Sequence, residues 1–177
     1  PTRIKHTILV CTIDQTIRET CGEAYARTFW PRYWRAYLAE EDIAYLAEQG
    51  FNSVRLPLAA RYFLLEEPGY TWNEDAFAHL DDVLDWCERH GIYAILDLHA
   101  ATAGQSAIGC DDGWDNQPHL FTDEDGAERT CHLWEELAHR YVGRTCVAGY
   151  ELLNEPLALP VWDALWPQLI EFYRSCI

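Results

Sequence analysis

Apolar, strand-like segments alternate with amphipathic helix patterns along most of this chain, and this alternation is its strongest structural constraint. Residues 92–98 (IYAILDL) form a nearly continuous apolar run, and residues 147–153 (VAGYELL) form another. Runs of this kind are typical of parallel strands that are covered on both faces. Residues 52–57 (NSVRLP) add a shorter extended run that ends at a proline. The alternation predicts right-handed βαβ units built around a parallel sheet.

Helix patterns separate these runs, with apolar side chains recurring three and four positions apart. The patterns cover residues 40–49, 73–90, 134–141 and 161–176. Gly50 and Gly91 each follow a pattern directly and predict a helix end, because glycine adopts the left-handed conformation found there. Asn73 predicts an N-cap. Residues 12–39 are rich in aromatic and arginine side chains, and Pro31 predicts a break or restart of helix among them.

The chain shows three convincing strands and a doubtful fourth near residues 8–11. So few strands cannot close a barrel, and 177 residues fall short of the roughly 250 that a closed (β/α)₈ barrel needs. The expected fold class is therefore α/β, as an open parallel sheet or as a segment of a barrel. Since no linker or low-complexity segment interrupts the sequence, we expect a single domain over residues 1–177.

The chain is strongly acidic, since 29 Asp and Glu residues against 13 Lys and Arg residues give a formal net charge of −16. Nucleic acid and anionic membrane surfaces require clustered positive charge, so we expect neither partner and favour a neutral or cationic ligand. No apolar run of about 18 residues predicts a membrane span. Residues 7–11 are too short for the apolar core of a signal peptide. Because the chain has no Met, we do not expect Pro1 to be the translation start.

Seven cysteines, an odd number, require at least one thiol that is free or paired with another chain. No Cys-x-x-Cys pair occurs, so a structural zinc site is not expected. The low cysteine density favours mostly reduced, packed thiols, and reduced thiols favour an intracellular location. No targeting segment assigns the chain to a compartment.

Polar residues stand where each predicted strand ends, with Arg55 on the first, Asp97 and His99 on the second, and Asn154 and Glu155 on the third. Because the carboxyl ends of parallel strands meet at one edge of a sheet, we expect these side chains to converge. A carboxylic acid among apolar neighbours is suited to general-acid chemistry, which is the role expected of Glu155. Asn154 would bind a substrate hydroxyl, Arg55 would orient a second carboxylate, and His99 would donate to a sugar oxygen or transfer protons.

Each of these residues also has a purely structural interpretation. Arg55 would then pair with Asp97 or Glu151 inside the sheet, and His99 would be an ordinary structural histidine. The Asn-Glu-Pro of residues 154–156 would only cap the next helix. Their joint placement at three strand ends favours the functional interpretation.

Three segments, in this order and spacing, resemble the retaining glycoside hydrolases of family 5, the cellulase-type (β/α)₈ enzymes. They are residues 50–57 (GFNSVRLP), 90–99 (HGIYAILDLH) and 153–156 (LNEP). The resemblance extends from about Phe29 onward and corresponds to strands two to four of that family. It implies a partial (β/α)₈ TIM barrel, the N-terminal half of the catalytic domain, with three to four parallel strands and covering helices.

The resemblance also implies roles. Glu155 matches the acid/base catalyst and Asn154 the residue that reads the sugar 2-hydroxyl. Arg55 matches the arginine that supports the nucleophile, and His99 matches an active-site histidine. Residues 99–106 resemble a substrate-binding loop of exo-glucanase-like relatives and make Gln105 a candidate substrate contact. The implied ligand is a β-linked oligosaccharide or glucoside, with no cofactor.

The family's nucleophile is a Glu on strand seven, and the resemblance assigns no residue of this chain to it. Glu171, the one further Glu after Glu155, lies inside a helix pattern. Retention requires two carboxyl groups about 5 to 5.5 Å apart, so we expect negligible glycosidase activity from these 177 residues alone unless another chain supplies the remaining strands. The alternatives are a non-catalytic carbohydrate-binding module and a half-barrel that self-associates through open sheet edges.

Aromatic side chains in or near the loops after the strands are further candidates for stacking on a sugar ring. They are Tyr62, Phe63, Trp72 and Trp114. Residues 111–116 (DDGWDN) do not match the spacing of a calcium loop, so we expect a solvated turn there. Asp97-x-His99 has no second His near it, so we expect no metal site.

Overall fold

A computed structural model describes residues 10–65, 69–108, 111, 113, 115–159 and 161–177. Its first half contains α1 (Val10–Cys21), α2 (Glu23–Tyr37), α3 (Glu40–Glu48), β1 (Ser53–Ala59), α4 (Ala60–Phe63), β2 (Leu64–Leu65) and β3 (Thr71–Trp72). Its second half contains α5 (Glu74–His90), β4 (Tyr93–Ala100), a 3₁₀ turn (His119–Phe121), α6 (Glu124–Tyr141), β5 (Val147–Glu151) and α7 (Trp162–Cys176).

The three long strands form one parallel sheet in the order β1-β4-β5. Pro57 pairs with Asp97 of β4, and Asp97 pairs with Glu151 of β5. Helix α5 connects β1 to β4, and α6 connects β4 to β5, which are the two βαβ units that the alternation predicts. The short strands β2 and β3 form a separate antiparallel hairpin after β1. The three strands predicted from sequence are therefore confirmed.

Side chains alternate across the sheet, so that one face packs against the helices. Leu56 and Leu58 of β1 and Leu96 and Leu98 of β4 are buried on this face. The helices contribute fully buried residues to the same core, including Ile43, Leu84 and Leu137. Each buried leucine or isoleucine stabilises the fold by about 2 kcal/mol. This packing fixes the sheet and leaves its other face to carry polar groups.

The N-terminal helices differ from expectation. Pro31 lies inside α2, and the chain breaks at Gly22 instead, which has a φ of 85°. The prediction of a break at Pro31 is therefore wrong. Trp30 and Trp34, which flank the proline, both pack against Tyr62, and this packing overrides the poor helix propensity of proline. The doubtful strand near residues 8–11 lies partly outside the described residues, and its last two residues begin α1.

Cys131 and Cys176 form a disulfide that links α6 to α7, with their Cα atoms 5.1 Å apart. Cys87 and Cys146 are buried free thiols, as the composition predicts, whereas Cys21 is exposed. The expectation of reduced thiols is thus wrong for the pair Cys131 and Cys176. A disulfide is typical of oxidising compartments, so the cysteines no longer favour an intracellular location. Within the described ranges, no helix is long and apolar enough to cross a membrane.

Candidate active site

The open face of the sheet gathers the polar residues predicted from the strand ends. The parallel register places Asp97 and Glu151 side by side, while Arg55 lies two positions before the partner of Asp97 on β1. Side chains two residues apart on a strand share a face, so all three project to the same side. His99 follows on that face two positions after Asp97. The sheet thus assembles these side chains through its register alone.

Arg55 contacts three other polar side chains of this group. Its Nε and Nη2 atoms donate to the two carboxylate oxygens of Glu151 at 2.7 and 2.8 Å. Its Nη2 also donates to Asn154 Oδ1 at 2.8 Å and lies 3.0 Å from Asp97 Oδ2. The hydrogen bonds to Glu151, together with the charges of Asp97, Glu151 and Glu155, raise the pKa of Arg55. The guanidinium therefore stays charged and fixes three side chains at once.

The two carboxylates beside Arg55 respond to it differently. Glu151 is half-exposed, and its hydrogen bonds to Arg55 lower its pKa. Asp97 is fully buried, and its desolvation raises its pKa despite the hydrogen bond from His99 and the charge of Arg55. Asp97 Oδ1 accepts no hydrogen bond from any residue in the described ranges. Burial without full hydrogen bonding favours the neutral acid, which explains the direction of this shift.

Asp97 also orients His99. Its Oδ2 lies 2.9 Å from His99 Nδ1, a geometry in which the Nδ1–H donates to the carboxylate. With Nδ1 occupied, Nε2 is directed to the other side of the ring, where Asn154 Nδ2 lies 3.5 Å away. Asn154 is buried. Its Oδ1 accepts the hydrogen bond from Arg55, and its Nδ2 faces His99. The structure brings Arg55, His99 and Asn154 together.

Glu155 follows Asn154 directly and is exposed, so its carboxyl group is open to solvent and to a ligand. Its φ of 40° is positive, an uncommon conformation for a residue other than glycine, and it turns the chain away from the line of β5. Its charge is one of the contributions that raise the pKa of Arg55.

Gln105 lies behind the site. It is fully buried, and its Nε2 donates to the carbonyl oxygens of His99 at 2.8 Å and Asn154 at 2.9 Å. Its Oε1 accepts from Ala101 N at 3.0 Å. Both amide protons and the side-chain oxygen are thus engaged within the protein. The expectation that Gln105 contacts substrate is therefore corrected, because its side chain is buried and its hydrogen bonds link the end of β4 to the residues that follow β5.

The predicted aromatic contacts that the structure describes all pack against other aromatic rings. Tyr62 packs against the tryptophans of α2, and together with Phe63 it lines an apolar pocket between α2, β1 and α5. Trp72 sits in the β2–β3 hairpin with its ring 6.1 Å from that of Phe77. These contacts pack the three rings against other parts of the protein, and contact of Tyr62 or Trp72 with a sugar stays a prediction. Trp114 lies outside the described residues, so its role stays a prediction.

Asp111 is the residue that the sequence interpretation missed. The expected solvated turn at residues 111–116 is wrong at its first position, because Asp111 is buried and accepts four hydrogen bonds, three of them from main-chain amides. The one sequence indication was the short Asp-x-Gly spacing to Gly113, which is common in ordinary turns. In the part of the chain that the structure describes, no group of three or more His, Cys, Asp or Glu residues is arranged to hold a metal ion.

Comparison with known proteins decides the family. Residues 14–176 match the family described as "Cellulase (glycosyl hydrolase family 5)". The chain belongs to glycosyl hydrolase family 5. It is 33% identical over 161 residues to a β-xylosidase of Phanerodontia chrysosporium, covering 91% of this chain and 33% of that protein. It is 34% identical over 158 residues to a glucan 1,3-β-glucosidase of Candida oleophila, covering 87% of this chain and 36% of that protein.

Solved structures confirm the architecture. A rutinosidase from Aspergillus niger superposes with a TM-score of 0.65 at 16% identity, covering 80% of this chain and 43% of that one. A glycoside hydrolase crystal structure gives a TM-score of 0.61 at 25% identity, covering 77% of this chain and 42% of that one. The fold of this family 5 chain is thus a partial (β/α)₈ barrel with an open sheet. It spans about a third of the length of the curated relatives above.

Proposed function

We propose that this chain carries the acid/base half of a retaining β-glycoside hydrolase site, with Glu155 as the general acid and base. The single observation that carries the proposal is the placement of an exposed carboxyl group directly after a buried asparagine that Arg55 holds at 2.8 Å. Membership of glycosyl hydrolase family 5 supports the reaction class. The nucleophile of the reaction would come from outside these 177 residues.

In the first step of the proposed reaction, Glu155 would protonate the glycosidic oxygen as the bond to the anomeric carbon breaks. The sugar would pass to the nucleophile as a covalent intermediate. In the second step, Glu155 would remove a proton from the attacking water, and the sugar would leave with its anomeric configuration retained. An exposed carboxyl group can serve both steps, since it must meet first the leaving group and then water.

The neighbouring residues would hold the sugar and the second carboxylate. Asn154 Nδ2 carries two N–H groups on a side chain whose oxygen is already fixed by Arg55; one faces His99 Nε2 at 3.5 Å, and the other would donate to a sugar hydroxyl. Arg55 keeps a permanent positive charge on the open face of the sheet, where it would help to keep an incoming carboxylate nucleophile ionised. His99, oriented by Asp97 through Nδ1, would accept a hydrogen bond from a sugar hydroxyl at Nε2.

For the substrate, we infer a β-linked glycoside or oligosaccharide. The names of the two curated relatives given above, a β-xylosidase and a glucan 1,3-β-glucosidase, support the β linkage and point to pentose and glucose units as the first sugars to test. A carbohydrate-binding module without turnover is the competing outcome.

The test uses the natural protein that contains these residues, with Glu155→Gln as the variant and Glu171→Gln, an exposed position of α7, as the matched control. We expect kcat/KM for alkyl β-glycosides to fall about 10²–10⁴-fold in Glu155→Gln, because general-acid catalysis contributes an effect of that size. For dinitrophenyl β-glycosides the fall would be small, since that leaving group departs without protonation. Equal losses for both substrates, or a wild type that binds β-glycans without cleaving any, would contradict the proposal.

A further inference from the structure

The loop between β4 and α6 contains a closed set of hydrogen bonds that reaches both sides of Glu155. Asp111 is 8% exposed, and its Oδ2 accepts from Gln105 N at 2.7 Å, Ser106 N at 2.6 Å and Ser106 Oγ at 2.8 Å. Its Oδ1 accepts from Gly113 N at 2.9 Å. Four donors converge on one carboxylate, so the main chain at Gln105 and Ser106 is fixed from one side.

The same two residues are fixed from the other side by the segment that follows Glu155. Leu157 N donates to Gln105 O at 2.9 Å, and Ala158 N donates to Ser106 O at 2.7 Å. The side chain of Gln105 adds the hydrogen bond to Asn154 O at 2.9 Å. Asn154, directly before Glu155, and Leu157, two residues after it, are therefore both hydrogen-bonded to Gln105.

Packing closes the base of this loop. A Cβ atom on Gly104 would lie 2.8 Å from Gly113 Cα, so the two glycines allow the loop strands to approach more closely than other residues could. Gly104 also has a φ of 80°. This close contact brings Asp111 next to Gln105, so that its carboxylate accepts the hydrogen bond from Gln105 N.

The backbone of the Glu155 segment needs such support. Glu155 and Leu157 have φ values of 40° and 55°, and each such conformation costs a non-glycine residue on the order of 1 kcal/mol. Strained conformations persist only where the surrounding structure over-determines them. The hydrogen bond that Gln105 donates to Asn154 O, and those that Gln105 O and Ser106 O accept from residues 157 and 158, provide that constraint.

We propose that Asp111 is a positioning residue for the acid/base carboxyl group, acting through Gln105 and Ser106 on the main chain that carries Glu155. This inference rests on the proposed role of Glu155. Loss of the Asp111 carboxylate releases residues 105 and 106 and lets the Glu155 backbone relax toward ordinary φ values. The carboxyl group then moves out of line with the leaving-group oxygen, and displacements of about 1 Å are sufficient to reduce a rate 10²-fold.

The test compares Asp111→Asn with Glu155→Gln and with Asp115→Asn in the natural protein. Asp115 is a matched control because it lies in the same loop, and within the described residues its carboxylate meets Gln117 N and His119 Nε2 instead of Gln105 or Ser106. For Asp111→Asn we expect a 10- to 100-fold fall in kcat/KM for alkyl β-glycosides and less than about a threefold fall for dinitrophenyl β-glycosides. KM should change little, and Asp115→Asn should match the wild type.

A residue that only stabilised the fold would lower kcat/KM equally for both leaving groups. That result for Asp111→Asn, with the leaving-group dependence intact in Glu155→Gln, would overturn the inference while leaving the proposed function standing. No leaving-group dependence in Glu155→Gln would reject the proposed function itself. If Asp111→Asn does not fold, Ser106→Ala removes one of the four donors, and the same selective loss at about fivefold is expected. An unselective loss or none in Ser106→Ala would contradict the inference.

Discussion

Two regions of the candidate site hold a carboxylate by different means. On the open face of the sheet, Glu151 is 40% exposed and meets the Arg55 guanidinium, so both partners are charged side chains in contact with solvent. In the buried loop, Asp111 is 8% exposed and is bonded mainly to main-chain amides. Solvent screens the first pair, whereas burial preserves the strength of the second set. The open face therefore carries the exposed charges, whereas the loop holds main-chain atoms in place.

The largest effect on stability should come from the base of the loop. Gly104→Ala introduces a Cβ that would lie 2.8 Å from Gly113 Cα, at a φ of 80°. We expect a loss of about 2–4 kcal/mol in the free energy of unfolding, from overpacking and backbone strain together. Urea unfolding measures it.

Gly91→Ala is the matched control for that substitution. Gly91 also has a positive φ, of 68°, but a Cβ there would meet no atom within 4 Å. It should lose only about 1 kcal/mol, from backbone strain alone. Equal losses at the two positions would show that the loop base is not closely packed in solution.

The smallest effect should come from the open face. Glu151→Gln removes one charge from a half-exposed pair, so we expect a loss of only about 0.5 kcal/mol at pH 7 and low salt. Arg55 lowers the pKa of Glu151 below its ordinary value of 4.5, so the stabilisation is present above that pH and disappears as the pH falls through the lowered pKa. Urea unfolding of wild type and variant between pH 7 and pH 3 measures the convergence.

High salt should reduce the same difference, because the pair is exposed to solvent. The loss in free energy of unfolding at Glu151→Gln should be smaller than that at Gly104→Ala and should depend on pH and salt. A larger loss, or one that did not change with pH and salt, would show that the exposed ion pair stabilises the protein more than the buried loop does.

Much of the architecture was predictable because it depends on local patterns. Buried runs at 92–98 and 147–153 predict β4 and β5, and parallel register then brings Arg55 and Asp97 to one face without any further information. Helix ends at Gly50 and Gly91 follow from their left-handed conformations, with φ values of 87° and 68°. These features need only the periodicity of the chain and the geometry of a sheet.

The remaining features depend on contacts between distant segments. Pro31 stays helical because Trp30 and Trp34 pack on Tyr62, about thirty residues later in the chain. Residues 101–123, between β4 and α6, have no periodicity in sequence, and the described part of this loop is held by single side-chain to main-chain hydrogen bonds such as those of Asp111 and Gln105. The Cys131–Cys176 bond joins two helices whose proximity the sequence does not reveal.

The role of Glu155 is tested most directly by rescue of Glu155→Ala with azide in the natural protein, with a dinitrophenyl β-glycoside as substrate. Without a general base the covalent intermediate would accumulate, because water needs a proton removed as it attacks. Azide is already anionic and attacks the anomeric carbon without proton transfer, displacing the nucleophilic carboxylate. If Glu155 is the acid/base residue, the rate rises with azide concentration and the product is a β-glycosyl azide. A rate insensitive to azide, or an α-configured product, would contradict the assignment of Glu155 as the acid/base residue.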